Sequence, residues 1–151
     1  MKVVFGRIMF WLTWPLLYFY TPLFVRSRVL VICGDEFLAV KPYFGSGAWS
    51  LPGGGVHGSE TPDVAAAREL GEETGIVVAP KDLICLVKGG AFHETGLLFR
   101  YIIFCVRIPA KKDVVLQKNE IGAGDWFSLK SDHIWPEHIA KALLLHAEIK
   151  V

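Results

Sequence analysis

The sequence is short of cysteine and holds no arrangement that would put cysteine to work. Cys33, Cys85 and Cys105 are isolated from one another, each among apolar neighbours. An odd, dispersed set of this kind reads as reduced, buried thiols in a cytosol-facing domain and excludes a disulfide framework. Neither a CxxC pair nor an HExxH stretch occurs, so a zinc site built from closely spaced ligands is excluded as well. A surplus of either charge is also lacking. Lys plus Arg is 16 against 15 for Asp plus Glu, a formal net charge of +1, and a nucleic-acid polymer as partner would call for a basic excess. There is no internal repeat and no low-complexity tail. A chain of 151 residues has the length of one domain and can bury a core without metal or disulfide staples.

What the chain has in abundance is apolar surface, and it is unevenly placed. Residues 8 to 25, "IMFWLTWPLLYFYTPLFV", carry no charge and lie between Lys2 and Arg7 on one side and Arg26 and Arg28 on the other. At about 1.5 Å per residue a helix of this length reaches across most of a hydrocarbon core. The aromatic residues and basic flanks suit a membrane interface, and Pro15 and Pro22 are tolerated better there than in a soluble helix. The expectation is an apolar N-terminal segment over residues 1–27 that associates with a membrane through residues 8–25. A segment packed on the domain, or one lying across a homodimer interface, is the alternative.

A catalytic domain is expected over residues 28–151. "RVLVICGDEFLAVKPY" reads as two β-runs joined by a Gly34-Asp35-Glu36 turn, and "GAWSLPGGG" as a short strand ending in glycines. Residues 62–74 read as a helix, with Thr61 as cap, Pro62 in the first turn, Gly75 as stop, and Val64, Ala66, Ala67 and Leu70 as its apolar stripe. "LICLVKGG", "LLFRYIIFCVRI" and "DWFSL" read as strands, the second apolar enough to be central. Pro136 to Ile149 forms a second amphipathic helix with Ile139, Leu143 and Ala147 on one face. Strands and helices in this order give an α/β fold with a mixed sheet between helices.

The chemistry concentrates in "GGGVHGSETPDVAAARELGEETGI", residues 53 to 76. Glu69, Glu72 and Glu73 are spaced i, i+3 and i+4, so three carboxylates project from one side of the helix and repel one another. Arg68 offers part of the counter-charge. A hard divalent cation supplies the rest, and carboxylate oxygens are the ligands that magnesium and manganese prefer. In the preceding loop, Gly53, Gly54 and Gly55 carry no Cβ, which lets backbone approach a metal or a substrate phosphate closely.

Gly54, then Glu60 after five residues, then "RELGEETGI" from Arg68 to Ile76 after seven more resembles the Nudix box, G-x5-E-x7-R-E-U-x-E-E-x-G-U with U aliphatic. Every specified position is filled, with Leu70 and Ile76 in the aliphatic places, and the likeness extends from about Arg28 to the C-terminus. The resemblance implies a Nudix fold, an α/β/α sandwich, and Mg2+-dependent hydrolysis of a nucleoside diphosphate linked to another moiety, with Mn2+ as a substitute. By position, Glu69, Glu72 and Glu73 would hold metal with help from the Gly53 carbonyl, while Arg68 and Glu60 would orient the carboxylates. A further acid from a later loop often joins such sites, and Glu120 matches that place. Glu72 is the expected general base, with Glu120 as the alternative.

Around this centre the reading stays open. His57, His93 and Glu94 are either near substrate or exposed loop residues; Trp49, Phe44, Phe92 and Trp126 either stack a base or fill the core, with core favoured for most. Lys88 and Arg100 either meet phosphate or lie at solvated strand ends. The short motifs that signal ADP-ribose, dinucleoside-polyphosphate or coenzyme A substrates in this family are absent. A non-catalytic nucleotide-binding module and a hydrolase of lipid-linked pyrophosphate remain as alternatives. The expected setting is the cytoplasm, with a tether to the cytoplasmic face of the membrane if the apolar segment engages it.

Overall fold

The computed structural model describes residues 8, 11–14, 16, 24–43, 47–94, 97–117 and 120–149, with backbone alone at 92–94, 97 and 99. Two β-rich runs meet at Gly34, whose φ of 58° suits a residue without Cβ, and form an antiparallel hairpin of β1 (Val25–Cys33) and β2 (Glu36–Pro42). Next come α1 (Pro62–Thr74), β3 (Ile84–Glu94), β4 (Leu97–Arg107), β5 (Ile121–Ser128) and α2 (Glu137–Ile149). The five strands lie in the order β3-β4-β1-β2-β5. Among the described residues the β1–β4 pair is parallel and the β1–β2, β2–β5 and β3–β4 pairs are antiparallel, so the sheet is mixed as the sequence predicts.

Alternation along β1 divides the core in two. Leu30 and Ile32 point to one face and join Phe37, Tyr101, Ile103 and the α2 residues Ile139 and Ala142. Val29 and Val31 point to the other and join Leu38, Phe104 and the α1 residues Ala66 and Leu70. The result is a helix on each face of the sheet, an α/β/α sandwich. Each fully buried Leu, Ile, Val or Phe contributes about 1.5–3 kcal/mol of transfer free energy, an upper bound because unfolded chains already hide some surface.

Several details differ from the sequence expectations. The buried stripe of α1 is Ala65, Ala66 and Leu70, with Val64 exposed, because the helix also turns Glu69 and Glu73 inward. Thr61 precedes α1 without capping it by its side chain; its hydroxyl instead donates to Asp63 and holds that carboxyl below its usual range. The segment read as a strand in "GAWSLPGGG" makes only isolated bridges, Val40 with Ser50 and Arg26 with Gly55. Cys105 is buried and its thiol is pushed up to about 11 by burial, but Cys33 is half-buried and Cys85 is exposed, near the start of the outer strand β3.

Strand β1 begins at Val25, inside the stretch assigned from sequence to the apolar segment, because Val25, Arg26 and Ser27 pair with Arg100, Tyr101 and Ile102 of β4. Upstream, residues 8, 11–14 and 16 are helical; Trp14 packs against the α2-side core, while Ile8, Trp11, Leu12 and Leu16 are exposed. Among the described residues no helix is long and apolar enough to cross a membrane. The rest of the run from 8 to 23 lies outside the described residues, as does Phe44.

Candidate active site

The glycine loop lies directly on β1. Ser27 and Val29 N–H groups donate to the carbonyls of Gly54 and Pro52, each at 2.9 Å. This close approach explains the glycines. A Cβ on Gly53, whose φ is 131°, would sit 2.2 Å from the Ser27 carbonyl oxygen, and one on Gly54 would sit 2.6 Å from the Glu69 carboxylate.

From the other side α1 delivers its carboxylates. Glu69 and Glu73 are buried although acidic, and Glu72 is exposed. Arg68 gathers the outer group: its guanidinium lies 2.8 Å from Glu60 Oε1, 2.8 Å from Glu69 Oε1 and 3.2 Å from Glu72 Oε2. Glu60 also accepts from the His57 backbone N–H at 2.8 Å. The Arg68 hydrogen bond, with that of His57, lowers the Glu60 carboxyl to about 2, and the same acidic partners raise the Arg68 pKa further above its ordinary value.

Glu73 takes the inner position. Its Oε2 accepts the Gly53 N–H at 2.7 Å. Burial pushes its carboxyl up to about 7 against the pull of Arg28 and the Gly53 N–H, and the charges of Glu69 and Glu120 add to the rise. Glu69 and Glu73 therefore face each other where water is scarce, while Glu72 stays in solvent.

Glu120, exposed at the approach to β5, lines the same open pocket of about 950 Å³ as Gly53, Gly54, Gly55, Arg68, Glu69, Glu72 and Glu73. All the residues predicted from the box and its later acid, apart from the paired Glu60, thus border one space, and Glu60 reaches it through Arg68. His57 is exposed in that lining, with Nδ1 3.4 Å from Arg68. Trp49 and Trp126 pack on the two core clusters, Lys88 and Arg100 are exposed, and the side chains of Phe92, His93 and Glu94 lie outside the described residues.

Arg28 is the site neighbour that the sequence did not single out. It reads as a basic flank to an apolar strand, yet it is only 5% exposed, and its Nη1 donates to the carbonyls of Leu51, at 3.0 Å, and Gly53. Phe24, also unremarked in the sequence, is 61% exposed on the rim of the pocket.

Whether a divalent cation suits this place can be judged from the donors. Among the described residues no three acidic, His or Cys side chains converge as a ready cage, since Arg68 engages Glu69 and Gly53 engages Glu73. The donors are nonetheless hard carboxylate oxygens gathered on one pocket beside the unsubstituted glycine loop, two of them on the buried Glu69 and Glu73. Magnesium needs only one or two carboxylates when water and phosphate complete its shell, so the residues fit.

The NUDIX domain family matches residues 23–145 of the chain. The protein belongs to the NUDIX family. Nudix hydrolase 10 of Arabidopsis thaliana is 32% identical over 114 residues, covering 74% of this chain and 40% of its own length. An RNA pyrophosphohydrolase of Acinetobacter baylyi is 44% identical over 58 residues, 38% of this chain and 34% of its own. The chain thus spans well under half the length of these curated relatives. Among solved structures, the NUDIX domain of Shewanella oneidensis NrtR complexed with ADP ribose superposes with a TM-score of 0.70 at 15% identity, covering 84% of this chain and 88% of that one. At that identity the likeness speaks to the Nudix fold alone, and the sandwich expected from the sequence is the one observed.

Proposed function

We propose that the protein is a Mg2+-dependent pyrophosphohydrolase that cleaves the diphosphate linkage of a nucleoside diphosphate joined to another moiety. The observation that carries this reading is the meeting of Glu69, Glu72, Glu73 and Glu120 with the glycine loop in one open pocket. The name of one curated relative, an RNA pyrophosphohydrolase 44% identical over 58 residues, agrees with pyrophosphate hydrolysis.

Glu69, Glu72 and Glu73, with the Gly53 carbonyl, would hold the cation, and Mn2+ would substitute. When bound there it supplies neutralisation of the pyrophosphate oxygens and acidification of a water. The chain's own residues do the remainder. Arg68, fixed by Glu60, holds Glu69 and Glu72 in place, and the unsubstituted backbone of Gly54 and Gly55 leaves room for phosphate oxygens. Glu72 accepts the proton of the attacking water as the new P–O bond forms and the bridging oxygen departs with the other phosphoryl group. Glu120 is the alternative base. A purely nucleotide-binding role would leave the full set of glutamates without a use.

A second reading keeps this chemistry and changes the substrate to a lipid-linked pyrophosphate. It is favoured by the exposed Ile8, Leu12 and Leu16 and by exposed Phe24 at the pocket rim, which would rest against a membrane on its cytoplasmic face. The test is phosphate-product release from nucleoside di- and triphosphates, nucleotide sugars, ADP-ribose, dinucleoside polyphosphates and detergent-dispersed lipid diphosphates, with Mg2+ and with EDTA. Mg2+-dependent turnover of the soluble members supports the first reading; turnover of the lipid alone replaces it with the second.

A further inference from the structure

The loop from Leu51 to Gly54 presents four successive carbonyls to β1, and β1 takes every one. The backbone N–H groups of Val29 and Ser27 take Pro52 and Gly54; the residue between them, Arg28, takes Leu51 and Gly53 with its side chain. A strand's backbone donors on one edge recur every second residue, so carbonyls turned the other way need a donor from elsewhere. Arg28 supplies it from beneath the loop.

The guanidinium is sealed in place. Its carbon lies 5.9 Å from the centroid of the Tyr101 ring, within cation–π range, and Tyr101 in turn stacks on His138 with centroids 5.3 Å apart. Among the described residues Arg28 Nε, though buried, has no hydrogen-bond partner. Arg28 also borders the catalytic pocket, and its charge acts on Glu73.

We infer that Arg28 is the positioning residue of the carboxylate site: by donating to one lone pair of the Gly53 carbonyl, which leaves the other for the cation, it fixes the peptide whose neighbouring N–H holds Glu73, and it places a buried positive charge near that carboxylate. The inference rests on the proposed metal-dependent reading of the site. It assigns to a strand residue outside the box the task of setting the inner half of the centre, as Arg68 and Glu60 set the outer half. Both bonds come from Nη1, so a lysine at this place keeps the charge and the donors, but its ammonium sits on a flexible stem without the planar guanidinium that rests against Tyr101 and aims Nη1 at the loop.

The test compares the 151-residue wild-type chain with Arg28→Lys and Arg28→Gln, measuring Mn2+ binding by titration calorimetry beside kcat, KM and thermal midpoint. Wild type is expected to bind Mn2+; if it binds none, the metal reading itself fails. Given wild-type binding, Arg28→Lys is expected to weaken Mn2+ about tenfold and to lower kcat more than it raises KM, with Arg28→Gln lower still. A folded Arg28→Lys protein with wild-type Mn2+ affinity and kcat overturns the inference. Should both variants fail to fold, the wild type still decides by NMR: the Arg28 guanidinium protons are expected to exchange slowly and to shift on adding Mg2+. Fast exchange, or no shift while Mg2+ binds, overturns it equally.

Discussion

The backbone N–H of Gly53 donates to Oε2 of Glu73 at 2.7 Å, tying the glycine loop to the helix that carries the carboxylates. Loop and helix are therefore one unit, and a change in either is felt by the other. The adjacent glycine shows how tightly they meet, since a Cβ on Gly54 would fall 2.6 Å from the Glu69 carboxylate.

Gly54→Ala and Gly53→Ala should consequently fail in different ways. At Gly54 the obstacle is a side-chain carboxylate, which can move, so the variant should fold and lose activity by roughly tenfold or more, on the order of 1.4 kcal/mol of transition-state stabilisation. At Gly53 the obstacle is the backbone of β1 and φ is 131°, so the cost falls on folding, about 1–3 kcal/mol. Thermal midpoints and kcat/KM of the two purified variants check this contrast.

Arg68→Met removes the shared partner of Glu60, Glu69 and Glu72. Because the guanidinium and Glu72 are partly open to solvent, stability should change by no more than about 1 kcal/mol. Activity should fall about a hundredfold, as the carboxylates lose their orientation. Denaturant unfolding beside steady-state kinetics separates the two effects.

His138 predicts a loss of stability in acid. It is buried against Tyr101, with Nε2 3.3 Å from Ser50 Oγ, and burial, helped by the charge of Arg28, lowers its pKa to about 3. Above about pH 6.5 the imidazole is neutral folded and unfolded, and contributes no slope. Between about 6.5 and 3 the unfolded chain binds a proton that the folded chain refuses, so stability falls as pH falls. From pH 7 to 5 this site should cost about 2 kcal/mol. Urea unfolding at both values should show a smaller drop for His138→Phe than for wild type.

Leu70, fully buried between the two acidic positions Glu69 and Glu73, ties the site helix to the sheet. Leu70→Ala should destabilise by about 2–5 kcal/mol. Calorimetric unfolding tests the figure.

Helix α1 was legible to the residue, because proline, glycine and the carboxylate spacing all mark it locally. The order of strands was not, since the parallel pairing of β1 with β4 joins residues far apart in the chain that carry no local sign of each other. In the outer half of the site, Arg68 with Glu72 follows from helical spacing and opposite charge, whereas Glu60, which lies on the loop before the helix, is marked only by the resemblance to the Nudix box. The role of Arg28 in the inner half has neither mark. Arg28 looks like a basic flank, and only the folded loop reveals that it is buried beneath Gly53. Cys85 misled for a related reason: an apolar run places it on a strand, but β3 is at the sheet edge, where the thiol is exposed.

The central claim is that the Glu69, Glu72 and Glu73 cluster performs Mg2+-dependent pyrophosphate hydrolysis. The most direct measurement is turnover of the best substrate by wild type beside Glu72→Gln and Glu73→Gln, which preserve shape and remove charge. The account predicts Mg2+-dependent turnover in wild type and a loss of at least about a hundredfold in each folded variant, on the order of 2.7 kcal/mol. Wild-type rates in both variants would contradict it.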